Sequence, residues 1–302
     1  EGRVPSRGAN GLHEPVEAFL QARGARPEAA CFGLPGPVRH GRVVTTNLPW
    51  VVDAALLGER LGLGHVFLLN DLEAYAWGIA ALAPEALCSL QAGAADAAGN
   101  QAVIAAGTGL GQAGLYWDGH AHRPWPTEGG HTDFAPTDEL QFGLLRFLQE
   151  RHGRVSWERV VSGPGLVAVH EYLRDVARVA RPAPLPPELV SRDASATITN
   201  AALAGACPLA RRAMDLFVAL YGAEAGNLAL KTLSSGGLFL GGGIAPKILP
   251  ELQKPAFLQA FLAKGRMRTL LEAMPVRVIL DDGCGLHGAA RHAALRTGRL
   301  PA

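Results

Sequence analysis

No CxxC or CxC pair occurs in this chain of 302 residues, and its four cysteines, Cys31, Cys88, Cys207 and Cys284, stand far apart. That scatter excludes a zinc ribbon or a disulfide framework as the organising element. Long apolar runs are missing too. Nothing reaches the length a membrane-spanning helix needs, and no signal-peptide pattern opens the chain. Charge is sparse, at 18 % of residues with a formal net charge of +1, and no basic block is interleaved with aromatics. Nucleic acid and an anionic membrane are therefore poor partners for it, and a soluble, cytoplasmic protein is the expectation. Methionine is absent from the first position: the sequence opens Glu1-Gly-Arg-Val-Pro5, loop-like in composition. We expect natural chain to precede it.

What is present is an apolar share of 48 %, enough for an ordered core in two domains or one large α/β unit. Strand-like and helix-like segments alternate. Ala29 to Leu34 is an apolar run stopped by Pro35-Gly36-Pro37, and Gly64 to Leu69 repeats the pattern into Asn70-Asp71. A helix is expected over Leu72–Ala83, with Asn70 or Asp71 as its cap. Gln101 to Ala106 is a third strand, ending in Gly107-Thr-Gly-Leu-Gly111. Helical spacing follows over Leu140–Arg151, Gly165–Ala180, Ser195–Ala204 and Pro208 to about Leu233. The proline-rich stretch Arg181–Pro187 reads as a solvated interhelical loop. Gly237 to Leu240 is a strand entering Gly241-Gly242-Gly243, and Val276–Leu280 is a last strand before a closing helix over Leu286–Leu295. This alternation predicts an α/β fold with a mainly parallel sheet in each half. In such sheets ligands gather at the carboxyl ends of strands, and four glycine- or Asn-Asp-bearing turns fall at expected strand ends.

The turn chemistry is specific. Gly109-Leu-Gly-Gln-Ala-Gly114 matches a dinucleotide fingerprint in letters, but Gly114–Trp117 before Asp118-Gly119 reads as a second strand and a hairpin, not as the helix the fingerprint requires. A Gly-Thr-Gly turn between strands instead suits phosphate oxygens, through backbone N–H groups and the Thr108 hydroxyl. Asp71, at a strand end, is placed either to cap a helix or to accept a proton from a substrate hydroxyl. Pro126–Pro136, PTEGGHTDFAP, brings Glu128, His131 and Asp133 into six positions. Two adjacent glycines disfavour a helix there and HExxH is absent, while carboxylates and an imidazole suit paired sugar hydroxyls. Asp133, before Phe-Ala-Pro, reads as fixing the loop. Ser156–Arg159 reads as a helix start with Glu158 in its first turn, and Ser162–Leu166 as a turn before a helix.

In order and spacing, Leu69-Asn-Asp-Leu72, Ala106-Gly-Thr-Gly-Leu-Gly111, Glu128-Gly-Gly-His-Thr-Asp-Phe-Ala-Pro136, Glu158–Leu166 and Leu240-Gly-Gly-Gly-Ile-Ala-Pro246 resemble the successive signatures of the bacterial glucokinases of the hexokinase–actin ATPase superfamily. The resemblance covers nearly the whole chain. It implies a two-domain ribonuclease H-like fold with the sugar in the interdomain cleft, the smaller domain over 1–82 plus about 285–302 and the larger over 83–284. It implies an ATP-dependent transfer to the 6-hydroxyl of glucose at the head of glycolysis, with Asp71 as base. Asn70, Asp71, Glu128, His131 and Glu158 would hold the sugar, while Gly107, Thr108, Gly109, Gly242 and Gly243 would meet the nucleotide. Mg2+ would arrive with ATP, and a homodimer is implied. The CxCGxxGC zinc segment of repressor-type relatives is absent, so no structural zinc is expected. The family's opening DxGGT phosphate loop is not in this sequence, which leaves a catalytically impaired sugar-binding fragment as one alternative. Another hexose kinase and a metal hydrolase built on Glu128 and His131 are the others, and the donor, ATP or polyphosphate, stays open.

Overall fold

The structure, a computed structural model, describes residues 2–5, 8–45, 48–178 and 185–301. The chain divides into two compact units. The smaller is drawn from 1–83, 123–126 and 283–302, and the larger from 84–122 and 127–282.

The smaller unit starts with helix α1 (His13–Arg23) and strand β1 (Ala29–Leu34). A short hairpin of β2 (Arg42–Val44) and β3 (Val51–Asp53) then leads to α2 (Ala54–Leu61), β4 (His65–Asn70) and α3 (Asp71–Ile79). Asp53 starts α2 by accepting the Ala55 and Leu56 N–H groups, and Gly62 ends it at φ 66°, a left-handed stop that glycine takes without strain. β1 and β4 pair in parallel, in register from Ala29–His65 to Leu34–Asn70. Late in the chain this unit regains a helix, α11 (Cys284–Arg296), which packs on α3 and β1. The α3–α11 contact is close because Gly288 has no side chain: a Cβ there would stand 1.8 Å from the Ala74 carbonyl oxygen.

Beyond α3 the chain forms β5 (Leu87–Gln91), β6 (Gln101–Ala106), β7 (Leu110–Trp117) and β8 (His122–Thr127, whose residues 123–126 group with the smaller unit), and then four helices of the larger unit: α4 (Glu139–His152), α5 (Gly163–Asp175), α6 (Ala194–Leu203) and α7 (Pro208–Thr232). Then come β9 (Gly237–Gly241), α8 (Leu249–Leu252), α9 (Pro255–Leu262), α10 (Arg268–Glu272) and β10 (Val276–Ile279). The six strands form one sheet in the order β5-β10-β9-β6-β7-β8. The expectation of a mainly parallel sheet is corrected here. β10–β9 and β9–β6 are parallel, but β5–β10 and β6–β7 are antiparallel. The cause lies in the connections: the three-residue turn between β6 and β7 permits only a reversal, whereas parallel neighbours need a helical crossover. α7 is the core helix of this unit, and the Tyr221 hydroxyl donates to the Ile104 carbonyl to tie it to β6 (3.2 Å).

The expected helices are present with shifted ends. α5 stops at Asp175 rather than Ala180; residues 179 and 180, and residues 181–184 of the proline-rich loop, lie outside the described residues. Ser162 caps α5 directly, accepting the Gly165 N–H at 3.0 Å, so the helix begins inside the Ser162–Leu166 turn. The Glu158 segment is a single 3-10 turn, Trp157–Arg159. No helix among the described residues is long and apolar enough to cross a membrane.

Candidate functional site

In the smaller unit the parallel register brings the ends of β1 and β4 out together, Leu34 beside Asn70. Asn70 is buried, and its Oδ1 accepts the Leu72 and Glu73 N–H groups (2.9 and 3.3 Å), capping α3. Its Nδ2 donates to the Gly36 carbonyl at 3.3 Å. Asn70 thus binds the two strand ends to each other, and its oxygen is fully engaged; toward a ligand it has an amide hydrogen to offer. Asp71 opens α3 with an exposed carboxylate whose Oδ1 accepts the Leu72 N–H at 2.9 Å. Below it, burial and the charge of Glu73 push the Cys31 thiol up to about 12, which removes that cysteine as a nucleophile at neutral pH.

In the larger unit β6 and β9 are parallel neighbours, so the turns that follow them emerge at one edge of the sheet. The first is closed by a Gly107 N–H to Gly109 carbonyl bond of 2.9 Å, with Thr108 exposed at its tip. The Gly107 carbonyl accepts the Gly163 N–H at 2.8 Å, fixing the turn to the start of α5. The second turn passes Gly242 at φ +78°, a conformation suited to glycine. It returns through an Ile244 N–H to Ala106 carbonyl bond of 3.2 Å. The two glycine turns expected to meet a nucleotide therefore share one edge.

The loop after β8 forms a 3-10 turn over Gly129–His131. Glu128 and His131 are both more than half exposed, and His131 Nε2 lies 3.9 Å from Glu128 Oε2. The other ring nitrogen lies 3.9 Å from Glu158 Oε1. These spacings are too long for hydrogen bonds, so the imidazole stands between two carboxylates with polar edges open to hydroxyl groups. Glu158 is held from behind: its Oε2 accepts the Leu110 N–H at 3.0 Å. A Cβ on Gly109 would lie 2.5 Å from that same oxygen, so the phosphate-type turn leaves room for the carboxylate only because residue 109 is glycine. Asp133 accepts from Arg154 Nε at 2.6 Å, and Arg154 also donates to the His131 carbonyl at 2.8 Å; Asp133 fixes the loop. Among the described residues, no group of three or more His, Cys, Asp or Glu side chains is arranged to hold a metal ion.

The structure thus brings Glu128, His131 and Glu158 together, gathers Gly107–Gly109 with Gly242 and Gly243, and sets Asn70 and Asp71 on the smaller unit. Sequence reasoning passed over Leu110 and Gln112, which support this cluster from β7. Thr127 Oγ1 donates to the Gln112 carbonyl (3.0 Å) and accepts the Gly129 N–H (3.2 Å). The available signal was a lone glutamine inside the otherwise apolar run Leu110–Trp117.

Comparison with known proteins identifies the family and the fold. The glucokinase family model matches residues 2–296. The chain is 44 % identical over 293 residues to the glucokinase of Nostoc punctiforme, covering 92 % of this chain and 86 % of that protein. It superimposes on the crystal structure of a glucokinase from an Antarctic psychrotroph with a TM-score of 0.80 at 30 % identity, covering 96 % of this chain and 88 % of that one. A ROK family glucokinase from Streptomyces griseus, solved with glucose and AMPPNP, shares the fold at a TM-score of 0.63 and 22 % identity, over 93 % of this chain and 87 % of that one. The chain belongs to the glucokinase family, the ATP-dependent hexose kinases with an actin-like ATPase fold.

Proposed function

We propose that this chain transfers the γ-phosphate of ATP to the 6-hydroxyl of glucose, with Asp71 as general base. Glu128, His131 and Glu158 hold the sugar hydroxyls, and the Asn70 amide adds a donor while keeping the two strand ends of its unit in register. Gly107, Thr108 and Gly109 receive phosphate oxygens through backbone N–H groups and a hydroxyl, and Gly242 and Gly243 line the adenosine. The single observation that carries this reading is the placement of Glu158. Its carboxylate is bonded to the N–H that follows the Gly-Thr-Gly turn and faces His131, so sugar-type and phosphate-type groups are built on one strand end. Support also comes from the Streptomyces griseus relative, whose structure contains glucose and AMPPNP.

Phosphoryl transfer asks a protein mainly for positioning and for neutralisation of charge. Mg2+ would come with ATP and would supply charge neutralisation at the phosphates received by Gly107, Thr108 and Gly109. A cytoplasmic location and a homodimer are carried as parts of the proposal, the latter to be read by light scattering. The base assignment is tested with Asp71→Asn. General-base assistance is typically worth ~10²–10⁴-fold, so turnover falls by that order while glucose binding, measured by calorimetry, stays close to the parent. Near-normal turnover in this variant removes Asp71 from the role. A panel of hexoses in an ADP-release assay decides between glucose, mannose, fructose and N-acetylated sugars.

A further inference from the structure

Glu224 lies in the interior of α7, on the helix that backs the sheet, and is 0 % exposed. A carboxylate so placed needs partners on both oxygens, and it has them. Oε1 accepts from Gln112 Nε2 at 2.7 Å, and Oε2 from Asn227 Nδ2 at 2.9 Å. Asn227 in turn offers its Oδ1 to the Lys264 ammonium at 2.7 Å, and that ammonium also donates to the Ala223 carbonyl at 2.9 Å. The lysine stem reaches this position past Gly226, where a Cβ would stand 2.8 Å from Lys264 Cε. Burial pushes the Glu224 carboxyl above its ordinary value, while the two amide hydrogen bonds and the nearby lysines act against that.

Donor and acceptor chemistry gives this chain of contacts one direction. An ammonium only donates, so Asn227 must turn its oxygen to Lys264 and its NH2 group to Glu224. The Glu224 carboxylate only accepts, so Gln112 must turn its NH2 group inward. The Gln112 oxygen is then left facing the loop that carries Glu128 and His131. Contact there is tight: a Cβ on Gly129 would lie 2.1 Å from Gln112 Oε1. Neither amide in this series can flip without placing like against like: acceptor against acceptor where Gln112 meets Glu224, donor against donor where Asn227 meets Lys264.

We propose that Glu224 is a positioning residue for sugar binding: it locks the Gln112 amide, and through it sets where the Gly129 turn holds Glu128 and His131. The proposal rests on the reading of that loop as the sugar grip. Because the connection runs to the sugar loop rather than to the Gly107–Gly109 turn, it acts on glucose affinity and leaves the ATP KM unaffected.

The test uses Glu224→Gln, Gln112→Met, and the double variant carrying Gln112→Glu with Glu224→Gln, all in the full chain. Glu224→Gln presents an NH2 group to Gln112, which flips to avoid it and turns a donor toward Gly129. We expect the glucose KM to rise about tenfold, the scale of one charge-assisted hydrogen bond, with kcat and the ATP KM within about twofold. In the double variant the carboxylate at position 112 again turns an acceptor toward Gly129 while its other oxygen accepts from the amide introduced at position 224, and the glucose KM returns to within about twofold of the parent, the non-additivity expected of a coupled pair. If Glu224→Gln yields too little folded protein, Gln112→Met carries the same test, since it removes both poles of the amide at nearly constant length. Two results overturn the proposal: single variants with an unchanged glucose KM, or a double variant no better than either single. Glu128→Gln, run in parallel, separates the causes. If it too leaves the glucose KM unchanged, the reading of the loop falls and the positioning role falls with it. If it raises the KM while the Glu224 and Gln112 variants do not, the positioning role alone is wrong.

Discussion

Replacing Gly109 with alanine asks whether the Gly-Thr-Gly turn and Glu158 are one device or two. Gly109 is not among the residues with positive φ, so alanine fits the backbone and the perturbation is the methyl group alone. That methyl would lie 2.5 Å from Glu158 Oε2 and 3.3 Å from its Cδ, inside normal contact, and the carboxylate must retreat by about 0.8 Å to reach a carbon–oxygen separation of ~3.3 Å. A retreat of that size takes Oε2 out of reach of the Leu110 N–H, now 3.0 Å away. A hydrogen bond to a charged group contributes roughly 1.5–3 kcal/mol, equivalent to about 10–150-fold in affinity. The glucose KM should therefore rise by that order, read in a coupled ADP-release assay over a glucose titration at saturating ATP. A thermal melt run alongside verifies that the variant is folded. A glucose KM within about twofold of the parent in a folded variant would refute the reasoning, because Glu158 would then be indifferent to its anchor.

Gly107→Ala gives the contrasting case. Its Cβ would meet nothing within 4 Å, so the variant should melt with the parent while its ATP KM rises and its glucose KM stays, as expected of a methyl projecting where a phosphate binds; an unchanged ATP KM counts against that turn as a phosphate seat. Gly288→Ala sets a Cβ 1.8 Å from the Ala74 carbonyl oxygen. Overpacking of this kind costs about 1–3 kcal/mol, to be seen as a lower denaturation midpoint, and a midpoint equal to the parent's would show that α3 and α11 separate easily. Stability should also depend on pH through His292, whose ring packs edge-on against Phe67 and Trp77. Burial, with Arg296 nearby, holds this imidazole below its usual 6.5. The unfolded chain then takes up the proton first, so stability falls as pH drops below 6.5 and levels off beneath the depressed native value. The difference in melting temperature between the parent and His292→Leu should be constant above this window and change within it; a difference that stays constant throughout would remove His292 as the cause.

The parts of this fold that can be read from sequence are those where an apolar run ends in a residue with special backbone or capping chemistry. β1 into Pro35-Gly36, β4 into Asn70-Asp71, β6 into the Gly107 turn and β9 into the Gly241 turn all have that form. β5, with Cys88 and Ser89 inside it, and β8, with Pro124 and Pro126, lack it. A proline cannot serve the interior of a sheet, yet β8 lies at the edge of its sheet, where proline is tolerated. Strand direction was misjudged for a related reason: composition shows that a strand exists, while its sense depends on what connects it to its neighbour. Glu128 and His131 stand out as candidates because their loop is rich in glycine and polar groups, whereas Glu158 becomes one only through the family resemblance. Gln112 and Glu224 do not stand out, because their meaning lies in a contact across 112 positions of sequence, and a single buried carboxylate in a long helix gives no sign of its partner.

The smaller unit is assembled from both ends of the sequence, and this bears on the order in which the protein is made. All strands of the six-stranded sheet have been synthesised by Ile279, so that sheet can close before α11 is made. The smaller unit must wait for α11. Until that helix arrives, the face of α3 around Ala74 and Gly78 has no cover, and the cluster of Leu69, Ala74 and Ala289 is incomplete. Asp71 stands at the head of that same helix. The carboxylate on which phosphoryl transfer is proposed to depend is thus translated early and seated last.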